Sequence, residues 1–250
     1  MIRRAILIEA ANIKGCSSIP GAEADVRNYR HYLTSKVGGF WYGNEIVVLS
    51  KPSRTRIHAE IAKAEKEAGY LFLSFSGHGY MKRPSASVFP ARTDKERTIL
   101  CINDDEEMSL GEINPRIKNF VIADSCRGLE SIEKSAEFLE SAMNRIQTLT
   151  ENMARANFDK AIEAAEVGQI LAYSCSVNEE AGEDKNRGGY FSAAMMECGI
   201  AIAKSGNQRA ITTDEVCACA FKEVKRLAAM QNPEYSPGRR MRHFPFAVKV

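Results

Sequence analysis

Two apolar runs in this chain end in residues able to do chemistry. The first, 70–76 (YLFLSFS), leads into Gly77, His78 and Gly79; the second, 119–123 (NFVIA), leads into Asp124, Ser125, Cys126, Arg127 and Gly128. A cysteine thiol is a nucleophile, and an imidazole carries protons near neutral pH. A pair held within hydrogen-bond reach is therefore sufficient for acyl transfer. Glycines beside His78 let a substrate backbone come close, and the amides of Gly79 and Cys126 are candidates to face a developing oxyanion. Taken singly, each residue has a plainer explanation. A histidine after a strand is commonly a hydrogen-bonded turn residue, and a cysteine there a small buried hydrophobe. Their joint placement carries the reading, because ligands of an open parallel sheet bind beyond the carboxyl ends of its strands.

The elements that must hold these turns are legible as periodicities. Five short runs, 5–10 (AILIEA), 45–50 (EIVVLS), 70–76, 119–125 and 169–176 (QILAYSCS), are nearly continuously apolar, as suits parallel strands covered on both faces. Between them, 22–36 and 54–68 carry apolar residues at helical spacing: Ala22, Val26, Tyr29 and Leu33 in one, Ile57, Ile61 and Ala64 in the other. Residues 190–204 and 213–230 are two further helices, the second capped by Thr212 or Thr213. Strand–helix alternation predicts a three-layer α/β/α sandwich around a mainly parallel sheet. The interval 129–168 is charged, helix-prone and free of proline, and reads as one or two surface helices inserted between core strands. The single domain thus divides into residues 1–128, which carry the His and Cys turns, the insertion 129–168, and residues 169–250. The stretch 80–98 reads as a mobile loop, and the apolar end of the chain as an added edge strand.

Composition narrows the class. The 250 residues fit one α/β domain or two small ones. A net charge of +2 gives no reason to expect nucleic acid or an anionic membrane as partner. The opening MIRRAILIEAANIKG holds Glu9 inside a short apolar run and lacks a small-residue cleavage site, so it reads as a buried first strand and not a leader. No run reaches the ~18 apolar residues of a membrane helix. The expected location is the cytoplasm, and the seven cysteines are then expected to be free thiols.

SGHG after one apolar strand and DSCRG after another resemble the caspase, metacaspase and paracaspase peptidases. The His and Cys lie 126 − 78 = 48 positions apart, close to the ~50 of the caspase arrangement. AILIEAAN at 5–12, PGAEADV at 20–26, YSCSVNEEAGE at 173–183 and GGYFSAAM at 188–195 extend the likeness along most of the chain. The resemblance implies a caspase-like fold and a cysteine endopeptidase. Cys126 would be the nucleophile, His78 the general acid/base, and the amides of Gly79 and Cys126 the oxyanion hole. The family works as a dyad, and the sequence offers no third residue that must orient the histidine.

Specificity follows from the residue two before the nucleophile. Caspases have Gln there and cut after Asp; this chain has Asp124, which resembles metacaspases and paracaspases, as does Asp25 near the start of the first helix. Two carboxylates in one pocket imply cleavage after Arg or Lys. Taken alone, Asp25 fits a first-turn helix acid and Asp124 a turn residue. Glu179 and Glu180 read as a solvated loop pair. Many metacaspases bind calcium, but Leu110 and Gly111 stand where the acid pair would be. Asp104, Asp105, Glu106 and Glu107 remain as hard oxygen donors, read as a solvated turn, so no metal or other cofactor is expected. The resemblance also implies activation by self-cleavage, with Arg145, Arg155, Lys160, Lys185 and Arg187 as candidate points, or by a separate regulatory protein. A monomer acting on peptide or protein substrates is expected. Three other readings stand beside it: a caspase-fold interaction module without catalysis, another Cys–His hydrolase on the same sheet, and a flavodoxin-like nucleotide binder. The last lacks a glycine-rich phosphate loop.

Overall fold

A computed structural model describes residues 1–82, 97–128, 150–205 and 209–249. In chain order the elements are β1 (Arg3–Ala10), α1 (Pro20–Thr34), β2 (Ile46–Ser50), α2 (Arg54–Glu67), β3 (Tyr70–Gly77), β4 (Gly79–Lys82), β5 (Arg97–Cys101), β6 (Glu107–Ser109) and β7 (Lys118–Asp124). They continue with α3 (Glu151–Ala164), β8 (Gln169–Tyr173), β9 (Glu183–Asp184), β10 (Gly188–Gly189), α4 (Tyr190–Ser205), β11 (Ala210–Thr212), α5 (Thr213–Leu227), β12 (Glu234–Ser236) and β13 (Pro245–Val248).

The central sheet has the order β12-β8-β7-β3-β1-β2. Its five longer strands are parallel, and β12 joins antiparallel at one edge. Strand β3 is buried at every position, which its unbroken apolar run requires, since both faces of a central parallel strand are covered. Alternation along β1 sends Ala5 and Leu7 to the face packed by α1, α3, α4 and α5, and Ile6 and Ile8 to the face packed by α2. The sandwich predicted from the strand–helix alternation is the one observed.

Helix α1 is started by Pro20, whose fixed φ suits the first turn. It docks through Val26, Tyr29 and Leu33, with the Tyr29 ring 5.4 Å from that of Phe72 on β3. Helix α2 begins at Ser53, whose side chain accepts from Arg56 N–H at 3.2 Å. For α5 the cap is Thr212, with Glu215 completing the reciprocal pair.

Three expectations change. Of the interval 129–168, positions 129–149 lie outside the described residues, but α3 is no surface insertion: Ala154, Phe158 and Ile162 are buried in the core. Its i, i+4 apolar face was hidden among charges. The apolar C-terminus does not edge the main sheet; β13 pairs with β11 in a separate ribbon, and β12 takes the edge. The seven thiols are not all free. Cys198 on α4 and Cys219 on α5 form a disulfide with Cα atoms 5.9 Å apart, because the two helices pack together. The expected loop 80–98 falls mostly outside the described residues.

Candidate active site

The register of two neighbouring strands brings both chemical turns to one place. β3 and β7 pair in parallel with Ser76 opposite Asp124. His78 and Cys126 therefore each lie two residues beyond this pair, at adjoining carboxyl ends. His78 is buried and Cys126 half-buried. The His78 Nε2 atom lies 2.7 Å from the main-chain oxygen of Ser17. A carbonyl only accepts, so Nε2 carries the proton and Nδ1 is left to exchange one. Ser17 is thus the orienting group missing from the sequence reading. A main-chain oxygen leaves no side-chain signature by which it could have been found.

Gly79 opens β4. Cys101 N–H donates to His78 O at 3.0 Å, and Gly79 stands opposite Leu100. His78 and Cys101 therefore form the hydrogen-bonded pair, and alternation turns the Gly79 N–H away from β5. Glycine is required here: a Cβ would come within 2.7 Å of Ser125 Oγ and 2.9 Å of Ile99 O.

The Cys126 thiol sits against the 176–183 loop. Ala181 N–H donates to Cys126 Sγ at 3.3 Å, and Sγ lies 3.8 Å from Ala181 O. Burial pushes the thiol pKa up, and the charges of Glu180, Asp124 and Glu183 push the same way against the Ala181 hydrogen bond. Burial and these charges favour the protonated form of the sulfur. Behind it, Arg127 is buried, donates to Cys175 O at 3.1 Å and to Glu234 on β12 at 2.6 Å, and lies over the Tyr173 ring at 4.3 Å. It ties the cysteine turn to the sheet edge.

Asp25 and Asp124 are brought together, with side chains almost wholly buried. Asp25 shares the inward face of α1 with Ala22, Val26 and Tyr29, so docking the helix drives its carboxylate inside. It accepts from Ser76 Oγ and, at 2.9 Å, from Gly189 N–H. Asp124 accepts from Ser192 N–H at 3.0 Å and Ser192 Oγ at 2.6 Å. Burial raises both pKa values; for Asp25 the neighbouring Asp124 charge adds to it, and Ser76 and Gly189 only partly offset this. Two like carboxyls in one dry site disfavour joint ionisation. Gly188 and Gly189 are needed beneath them, since a Cβ on Gly188 would strike Asp25 Oδ1 and one on Gly189 would strike Asp124 Oδ2. Ser192 and the two glycines were missed as site residues, although the GGYFS string was visible.

The acids at 104–107 include three with partners of their own. Asp104 accepts from Lys14 N–H and Lys51 Nζ, Glu106 from Asn103 Nδ2, and Glu107 from Tyr80 Oη. Among the described residues no group of three or more His, Cys, Asp or Glu side chains converges as a metal site. Arg155, a candidate self-cleavage point, is engaged with Glu45 at 2.7 Å and little exposed; Arg145 lies outside the described residues. Among the described residues no helix is long and apolar enough to cross a membrane.

The caspase domain matches residues 2–239, and the chain belongs to that family. Membership supports cysteine-peptidase chemistry in general terms and action on protein substrates. Among solved structures the chain is similar to caspase-1 from Spodoptera frugiperda, with a TM-score of 0.62 and 14% identity, covering 99% of this chain and 90% of that one. At that identity the likeness concerns the fold. No curated protein matches.

Proposed function

We propose that this chain is a cysteine endopeptidase of the metacaspase and paracaspase side of the family, cutting after arginine or lysine. The observation that carries the reading is the buried pair Asp25 and Asp124 at the strand ends from which His78 and Cys126 emerge. Burying two carboxylates is costly unless a cation joins them, and a basic side chain of a substrate supplies one. Arrival of that cation also offsets the nearby negative charges that, after burial, raise the Cys126 pKa, so substrate binding and thiol ionisation favour each other.

In this reading Cys126 loses its proton to His78 Nδ1 and Sγ bonds to the scissile carbonyl carbon. The oxyanion faces the amides of Gly79 and Cys126. His78 passes the proton to the departing amine as the C–N bond breaks, leaving a thioester. Water, deprotonated by the same nitrogen, then attacks; the C–S bond breaks and the thiol is restored. Ser17 O holds the ring so that one nitrogen serves all these transfers. These steps need no metal, and a monomer contains every residue named.

The test is a fluorogenic panel of Arg, Lys and Asp peptides with purified protein and with Cys126→Ala and His78→Ala. Arg and Lys peptides should be cleaved and both variants inactive. Preference for Asp would overturn the pocket assignment. Inactivity on the whole panel, with tight binding of an Arg peptide to the folded protein, would favour an interaction module.

A further inference from the structure

The edge strand β2 is open along its outer side. Among the described residues it pairs with β1 and with no other strand. Lys51 N–H donates inward to Glu9 O at 2.9 Å, and alternation along the strand then turns the N–H and C=O of Val48 and Ser50 outward. Such a row of main-chain groups is a template for another strand, and natural edges are commonly blunted by charge. Residues 46–50 (IVVLS) hold no charge, and Val48 is 41% exposed. Val48 pairs with Leu7 and so lies on the α1 face of the sheet. There it lines a concavity of about 390 Å³ with Arg27, Arg30, His31 and Thr34 of α1, and with Glu23 as the acid of that lining. Arg27 and Arg30 are exposed. Arg27 meets the main-chain oxygen of Asn186 at 3.4 Å, and among the described residues neither guanidinium is paired with a carboxylate.

We propose that this edge docks an extended acidic segment of a protein substrate, away from the bond that is cut. An added strand would take the outward main-chain groups of β2. Its alternate side chains would fall on the α1 face, beside Val48 and under Arg27 and Arg30, where carboxylates meet the two guanidiniums. Those between would lie on the other face, beside Val47 and Leu49, and be apolar. The occupant is thus a strand with Asp or Glu at every second position. Geometry favours a substrate as its source. Strands β2, β1, β3 and β7 are parallel, so the outer side of β2 leads to the same end of the sheet as His78 and Cys126. In the order β7-β3-β1-β2 an added strand lies four spacings from β7, about 19 Å, a gap that about six extended residues cross. One polypeptide can therefore occupy both places. The cleavage arm of the test rests on the basic-residue reading above; the binding arm does not.

Binding is measured by fluorescence anisotropy of a labelled Val-Glu-Val-Asp-Val-Glu peptide on the Cys126→Ala protein, so that no cleavage intervenes. The peptide should bind, and a version with Lys in place of each acid should bind far more weakly. Arg27→Glu combined with Arg30→Glu loses two exposed ion pairs and adds repulsion, which should weaken binding roughly fivefold to thirtyfold. Val48→Pro removes an outward N–H and should weaken it likewise. Should that variant fail to fold, Val48→Glu, which sets a carboxylate against the acidic strand, must do so instead. In the second arm, wild type is assayed on a short Arg peptide alone and joined to the acidic strand, on either side, by a Gly/Ser linker of about twelve residues, whose mean span is about 19 Å. Attachment in at least one order should raise kcat/KM about tenfold through KM. The double Arg variant should abolish that gain and stay within about threefold of wild type on the short peptide. Absent binding, equal binding of the Lys version, or undiminished binding by the variants would overturn the docking site. Binding without a rate gain would overturn its assignment to substrate. Failure of wild type to cleave the short Arg peptide would strike the proposed function, while the binding arm still decides the docking site.

Discussion

Replacing Asp124 with alanine tests the pocket most directly. The side chain is only 5% exposed, so a substrate cation beside it is largely cut off from water. Truncating one partner of such a desolvated charge pair costs about 2–5 kcal/mol, and each ~1.4 kcal/mol is tenfold. Asp124→Ala should thus lower kcat/KM on an Arg peptide by roughly 30-fold or more. Part of that loss comes from Ser192, whose N–H and hydroxyl lose their acceptor, so Asp124→Asn is the companion. The amide oxygen can still accept from Ser192, but the charge is gone. Asp124→Asn should lose most of the same activity and melt at or above the wild-type temperature, because repulsion with Asp25 is relieved. The assay is initial-rate hydrolysis of Arg, Lys and Asp peptides at fixed pH, with a thermal melt of each variant. An Asp124→Asn enzyme within about threefold of wild type on Arg would refute the argument that this charge binds the substrate.

Three further outcomes follow from the same geometry. Asp25 has its folded pKa raised above the ordinary 3.8, so its contribution to stability is fully present below that value and is lost as pH rises through the folded pKa. Asp25→Asn should accordingly match wild-type stability near pH ~3 and exceed it increasingly toward neutral pH; a pH-independent difference would count against the buried pair. Gly189→Ala would place a methyl group on the Asp124 carboxylate. The variant should lose about 1–3 kcal/mol of stability, as is typical of overpacking, and its kcat/KM on an Arg peptide should fall because Asp124 must shift; full activity would show the pocket is elsewhere. Thiol titration of the unfolded, unreduced protein should count the five free cysteines, and Cys219→Ala should destabilise by about 3 kcal/mol for a loop of this length; a count of all seven cysteines as reactive thiols would show that no bridge forms.

The sheet was readable because burial on both faces leaves no polar position to blur a strand: 70–76 anticipated β3 to within one residue. Helices α1 and α2 were readable for the converse reason, one apolar stripe on a polar background. The interval 129–168 misled because α3 hides three buried residues, Ala154, Phe158 and Ile162, among eleven others, and average composition outvoted spacing. In the candidate site, His78, Cys126, Asp25 and Asp124 stood out because their side chains differ from their surroundings. Ser17 contributes only a main-chain oxygen, and Gly188 and Gly189 are needed for the atoms they lack. None of these properties exists until strands are paired. The disulfide escaped for a similar reason, since Cys198 and Cys219 are 21 residues apart and meet only when α4 and α5 pack.

That bridge has a consequence for covalent connectivity. The loop it closes lies wholly beyond the β9–β10 turn, where Lys185 is exposed. A single backbone cut in that turn would therefore leave two polypeptides with no bond between them, separable on a gel without reductant. The first would hold His78, Cys126, Asp25 and Asp124. The second would hold Gly189 and Ser192, donors to the two aspartates. Neither fragment would own a complete pocket. A cut enzyme would behave as a complemented pair, its activity depending on fragment concentration under mild denaturant, whereas the uncut chain would be indifferent to dilution.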